Sequence, residues 1–156
     1  MSKPPFDFYW EDFRVGEMRD MGRHTFSEPE MIAFARQFDS QRFHVDPQAA
    51  RSTLFGGLIA SGWHTCAMAM RGMCEAYLNR SACLGSPGLD SLRWLRPVRP
   101  GDEIVFRARV LESRPSASKP GVGLVKFLWD AVNSSGEQVL AMEGWQLFEQ
   151  REAAKR

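Results

Sequence analysis

An aspartate and a histidine stand five positions apart in "FDSQRFHVDP", residues 38–47, interleaved with Phe38, Phe43 and Val45. A free aspartate titrates at about 3.9 and a free histidine at about 6.5. Asp39 and His44 would therefore join a carboxylate acceptor to a ring that gives or takes a proton near neutral pH. Two such groups can grip one water molecule, polarise it and return a proton. Adding water across a double bond conjugated to a thioester carbonyl requires this, and the enolate that develops then needs hydrogen-bond donors. Ser61-Gly62 offers them at the start of a long apolar segment. The first N–H groups of a helix have no internal partner, and the dipole there favours negative charge. Gly62 has no side chain to obstruct a thioester oxygen, and Trp63, next in the chain, would border the substrate. Blander readings exist for the same residues. Asp39 and His44 also suit an ordinary polar loop, Ser61 an N-cap, and Gly62 a close helix contact.

The pair can work only if the chain brings it together. Positions five apart on one helix point about 140° away from each other, so the helix must break between them. "SEPEMIAFARQF", residues 27–38, has a legible helix start: Ser27 as cap, Pro29 in the first turn and Glu30 as capping-box partner. Met31, Ile32, Phe34, Ala35 and Phe38 form its apolar stripe. Pro47 and Gly56-Gly57 punctuate the following stretch as loop with one short helix. Residues 61–78 then read as a helix about 27 Å long, apolar nearly all round, with Arg71 and Glu75 its charges. Such a helix is wrapped rather than laid on a surface. "MRDMGRHTF" suits either a strand or an irregular arm. Beyond residue 80 the texture is β, with Pro-Gly turns and two alternating runs around the hairpin turn "NSSGE". Val125, Phe127 and Trp129 share one face; Leu124, Lys126, Leu128 and Asp130 share the other. The plan is α+β: three or four antiparallel strands curled around a buried helix. Pairing the open edge with a second copy would hide it, so a homodimer is expected.

Composition sets the outer bounds. The 156 residues suit a single domain, 1–156, with a real core. A net charge of +1 gives no bulk attraction to nucleic acid or an anionic membrane. Cys66, Cys74 and Cys83 form no metal-type spacing, and an odd count argues against a disulfide framework. No uncharged apolar run approaches the roughly 20 residues that span a bilayer. "MSKPPFDFYWEDF" carries no signal-peptide run, so the cytoplasm is the expected location.

The run "FARQFDSQRFHVDPQAARSTLFGGLIASGWHT", joined by "SLRWLRPVRPGDEIVF", resembles the MaoC-like dehydratases. That hot-dog-fold family includes the (R)-specific enoyl-CoA hydratases. The shared pattern is Asp39, His44, Val45, Asp46-Pro47, Ala49-Ala50, Leu54 to Gly57 and the small pair Ser61-Gly62. It extends over about residues 15–148. The resemblance implies a long helix wrapped by an antiparallel sheet, usually as a homodimer or a pair of fused hot dogs. It also implies that Asp39 and His44 activate water and that the Gly62 N–H holds the thioester oxygen. The substrate would be a trans-2-enoyl-CoA, with no metal or redox cofactor. Three positions depart from the pattern: Gln41-Arg42 replaces a common Asn-Pro, and Ser61 a common histidine.

Two rivals share the architecture. A thioesterase commonly hangs its acid on the central helix, where Glu75 lies toward the far end. A non-catalytic acyl-thioester-binding subunit would be indifferent to Asp39 and His44. Arg93, Arg96 and Arg99 could meet coenzyme A phosphates or be ordinary surface charges. His24, with no acid nearby in sequence, reads as structural, and His64 as packed against the sheet. Met68, Met70 and Met73 read as core that could also line a pocket.

Overall fold

The computed structural model describes residues 5–153. Among the described residues there are four α-helices: α1 (Glu28–Phe38), α2 (Arg42–Val45), α3 (Pro47–Ala50) and α4 (Gly62–Ala76). Six strands accompany them: β1 (Met18–Thr25), β2 (Cys83–Gly85), β3 (Leu89–Trp94), β4 (Glu103–Pro115), β5 (Val122–Val132) and β6 (Gln138–Glu149). The strands form one antiparallel sheet in the order β1-β4-β5-β6-β2, with β3 also paired to β6. The expected α+β plan holds, with more strands than the three or four anticipated. The extra ones are β1, whose register shifts between Asp20 and Arg23, and short β2. Neither carries a clean alternation, which is why periodicity underestimates the sheet.

Alternation does set the central strands. Val125, Phe127 and Trp129 are buried, while Leu124, Lys126, Leu128 and Asp130 are only partly covered. Aromatic rings fill the space beneath: Phe13 stacks on Phe148 at 4.3 Å, and Tyr77 on Phe127 at 5.5 Å. Trp129 Nε1 donates to the Tyr77 hydroxyl, which donates to Gln146, so these buried polar atoms are satisfied.

Helix α4 lies against this surface. A Cβ on Gly72 would sit 2.4 Å from the Met21 carbonyl oxygen, so glycine there permits the contact with β1. The helix is not wrapped all round, as its composition suggested. Trp63 and Met70 are about half exposed, as are Leu89 and Trp94 of β3. That strand pairs with β6 on one side, and no described residue pairs with its other edge. The expected run to residue 78 is also shorter: α4 ends at Ala76, and a 3-10 turn follows over Leu78–Arg80. Among the described residues, no helix is long and apolar enough to cross a membrane.

Candidate active site

Helix α1 stops at Phe38 because Asp39 leaves helical geometry, at φ −155° and ψ 73°, while its N–H still bonds the Ala35 carbonyl. The chain re-enters a helix at Arg42, so His44 belongs to the separate single turn α2. This is the break that the five-residue spacing demanded. Pro47 does not merely discourage helix; it opens α3, capped by the Asp46 carboxylate. Asp39 Oδ2 and His44 Nε2 end 3.3 Å apart, with both side chains largely buried.

Neighbouring groups fix each partner. His44 Nδ1 lies 2.8 Å from the Ile59 carbonyl oxygen. A carbonyl only accepts, so Nδ1 carries a proton and Nε2 of the neutral ring presents a lone pair toward Asp39. The Ile59 N–H in turn bonds the Phe43 carbonyl, and the Ala60 N–H the Val98 carbonyl, which locks this segment beside α2. Asp39 accepts from Gln41 Nε2 at 2.8 Å on Oδ1 and from the Ser61 hydroxyl at 2.7 Å on Oδ2. Burial pushes the Asp39 carboxyl upward, but the hydrogen bonds from Gln41 and Ser61, joined by the charge of His44 whenever its ring is protonated, outweigh it and hold it below its ordinary value. The carboxylate therefore stays ionised and acceptor-only.

The pair opens on a cleft of about 500 Å³, lined also by Gln41, Phe43, Phe55, Gly62, Trp63 and Trp94. The Gly62 N–H at the start of α4 has no hydrogen-bond partner among the described residues. Glycine is required here for a reason invisible in the sequence: a Cβ would lie 2.4 Å from the Trp94 ring. Trp63 meets Trp94 edge to face at 5.1 Å. Ser61 needs correction as a substrate-facing residue. It is fully buried and does not line the cleft, because its hydroxyl donates to Asp39 and accepts from the Trp63 N–H.

Other candidates fall elsewhere. Arg96 lines the cleft and pairs with Glu137 at 3.0 Å, while Arg99 donates to the Phe55 carbonyl. Arg42 is exposed, and Glu75 is exposed beside Arg71. Cys66, Cys74 and Cys83 are free, and burial raises the thiols of Cys66 and Cys83. Glu30 does not close a capping box on Ser27. It bonds His24, six residues earlier, and also faces His64. His64 stacks on Phe34 of α1 and lies edge-on to His24 of β1 at 6.4 Å, so it packs between α1 and the sheet and does not line the cleft.

The MaoC like domain matches residues 13–126, a span containing every site residue described above. The chain belongs to the MaoC-like dehydratase family. It is 40% identical to the MaoC-like dehydratase from Rhodospirillum rubrum, with a TM-score of 0.85, covering 92% of this chain and 98% of that one. R-hydratase PhaJ1 from Pseudomonas aeruginosa shares the fold at 23% identity and a TM-score of 0.74, covering 92% and 86%. A Mycobacterium tuberculosis protein described as a double hotdogfold matches at a TM-score of 0.72 and 22% identity, covering 92% of this chain and 44% of its own. The sheet around α4 is thus a hot-dog fold. The Bacillus subtilis protein YdeM is 27% identical over 112 residues, 72% of this chain and 79% of its own. Protein MaoC of Klebsiella aerogenes is 29% identical over 104 residues, 66% of this chain but only 30% of that protein.

Proposed function

We propose that this protein is a hydro-lyase that adds water to a trans-2-enoyl-CoA, giving a 3-hydroxyacyl-CoA, and catalyses the reverse elimination. The observation carrying this reading is the 3.3 Å approach of Asp39 Oδ2 and His44 Nε2 in a cleft that also presents the unpartnered Gly62 N–H. Two acceptors facing each other at that distance repel unless a proton lies between them. A water molecule resolves this by donating one O–H to each. His44 Nε2 takes a proton as the water oxygen bonds to C3. The C2=C3 pair moves to C2, and charge spreads onto the thioester oxygen, where the Gly62 N–H and the start of α4 stabilise it. The imidazolium, held beside ionised Asp39, then returns the proton to C2. Asp39 is the weaker base, since its neighbours favour its charged form; it orients the water and balances the imidazolium.

The acyl chain would extend past Trp63 into an apolar cavity of about 300 Å³ lined by Met70, Met73, Leu92 and Met142. No metal or redox group enters these steps, and coenzyme A comes with the substrate. The working unit is a homodimer joined at the β3 edge, which the half-exposed Leu89 and Trp94 suit. Thioester hydrolysis is the weaker reading, because Glu75 is exposed on α4 and absent from the cleft. A panel of short, medium, branched and dicarboxylic enoyl-CoA esters tests the proposal. Loss of the conjugated-enoyl absorbance without thiol release is the expected result. Free thiol, or no turnover of any ester, would overturn it.

A further inference from the structure

Away from the cleft, three side chains from three separate elements converge. They are His24 at the end of β1, Glu30 in the first turn of α1 and His64 in the first turn of α4. His24 Nε2 lies 2.8 and 3.0 Å from the two Glu30 oxygens, and His64 Nε2 lies 3.3 Å from Glu30 Oε1. All three donor atoms fall within 4.8 Å of one another. The rings are held by packing. His64 stacks on Phe34 at 4.6 Å, and Phe26 meets both imidazoles edge-on at 4.9 Å. His64 is fully buried, while Glu30 is about one-third exposed, so the cluster has a way in from solvent.

We propose that His24, Glu30 and His64 form a binding site for a divalent transition metal of the zinc type. Metal–ligand bonds of about 2.0–2.1 Å in tetrahedral geometry place donor atoms about 3.3 Å apart, close to the His24–Glu30 and His64–Glu30 spacings of 2.8 and 3.3 Å, with the two imidazole nitrogens within 4.8 Å of each other. Two imidazoles and one carboxylate suit zinc or cobalt(II) rather than calcium or magnesium, which take oxygen donors. The fourth position would face solvent on the Glu30 side. The ion would tie β1, α1 and α4 together at one end of α1. The other end carries Asp39, so the site would brace the frame without touching the reaction.

Two features oppose binding, and they make the proposal specific. Arg71 Nη2 donates to His24 Nδ1 at 3.2 Å, which keeps the His24 proton on Nε2, where the metal must bind. Arg71 must therefore leave before metal binds. It is half exposed, with Glu75 one turn along at 4.0 Å. His64 Nδ1 has no partner among the described residues, and metal on Nε2 requires a proton there. A missing outer partner of this kind weakens affinity by about 10- to 100-fold.

Titration of untagged, chelator-treated protein with cobalt(II) tests the site. Expected is one equivalent bound, with the visible absorption of a low-coordinate nitrogen–oxygen site, displaced by zinc. Zinc should raise the melting temperature. His24→Ala and Glu30→Gln should abolish binding, and Arg71→Ala should tighten it several-fold by removing the competitor. Arg71 is a surface side chain, so that variant stays informative even if the others fail to fold. Binding that survives His24→Ala, shows thiolate charge-transfer bands, or is no tighter in Arg71→Ala would overturn the assignment.

Discussion

Replacing Ser61 with alanine removes one of the two side-chain donors that hold Asp39 ionised, and the consequence can be worked out. The hydroxyl lies 2.7 Å from Asp39 Oδ2 and is fully buried. A hydrogen bond to a charged group contributes about 1.5–3 kcal/mol. Asp39 borders an open cleft, so water replaces part of the loss, and the lower end applies. Losing about 1.5 kcal/mol of preference for the charged form should raise the Asp39 carboxyl in Ser61→Ala above where it titrates in the parent. The carboxyl is depressed in the folded protein, so its contribution is present above the unfolded value of about 3.9 and fades as pH falls through the folded one. The variant should therefore lose stability at neutral pH, by that amount plus about 1 kcal/mol for the lost N-cap. The gap to the parent should narrow in acid. Carbon-13 NMR of the Asp39 carboxyl against pH, with urea melts at neutral and acid pH, measures both. An unmoved midpoint in a folded variant would refute the assignment of Ser61 to Asp39.

Gly62→Ala should drive a methyl group into the Trp94 ring, destabilise by about 1–3 kcal/mol and disturb tryptophan fluorescence; adding Trp94→Ala should recover much of the stability. Gln41→Ala removes the other side-chain donor to Asp39 and should also raise its titration midpoint, by less than Ser61→Ala because Gln41 is exposed. Phe127→Ala should cost about 3–5 kcal/mol in a denaturant melt, since this fully buried ring stacks on both Tyr77 and Trp129.

What the sequence discloses depends on range. The start of α1, the hairpin around 133–137 and the faces of β5 follow from local chemistry, and the structure repeats them. The Asp39–His44 approach is also local, since it needs only a helix break within five residues. The buried core helix and the antiparallel sheet follow from period alone, but the open face of α4 along Trp63 and Met70 does not, because exposure depends on what packs opposite. The support of the site is long-range. Ser61 reaches Asp39 across 22 positions, and Trp94 reaches Gly62 from a different strand. Residue type flagged Ser61 as important, but no local signal aims a hydroxyl backward at an acid rather than forward at a substrate. Glu30 likewise fits a capping box by spacing, and only the fold brings His24 and His64 to it.

The central claim is that Asp39 and His44 act as one unit on one water molecule, and a double-mutant comparison of hydration rates tests it most directly. Asp39→Asn and His44→Ala should each lower kcat/KM by about 10²–10⁴-fold. The double variant should be scarcely worse than either, because groups that share one task are not additive. Losses that multiply in the double variant, or a single variant that hydrates as fast as the parent, would contradict it.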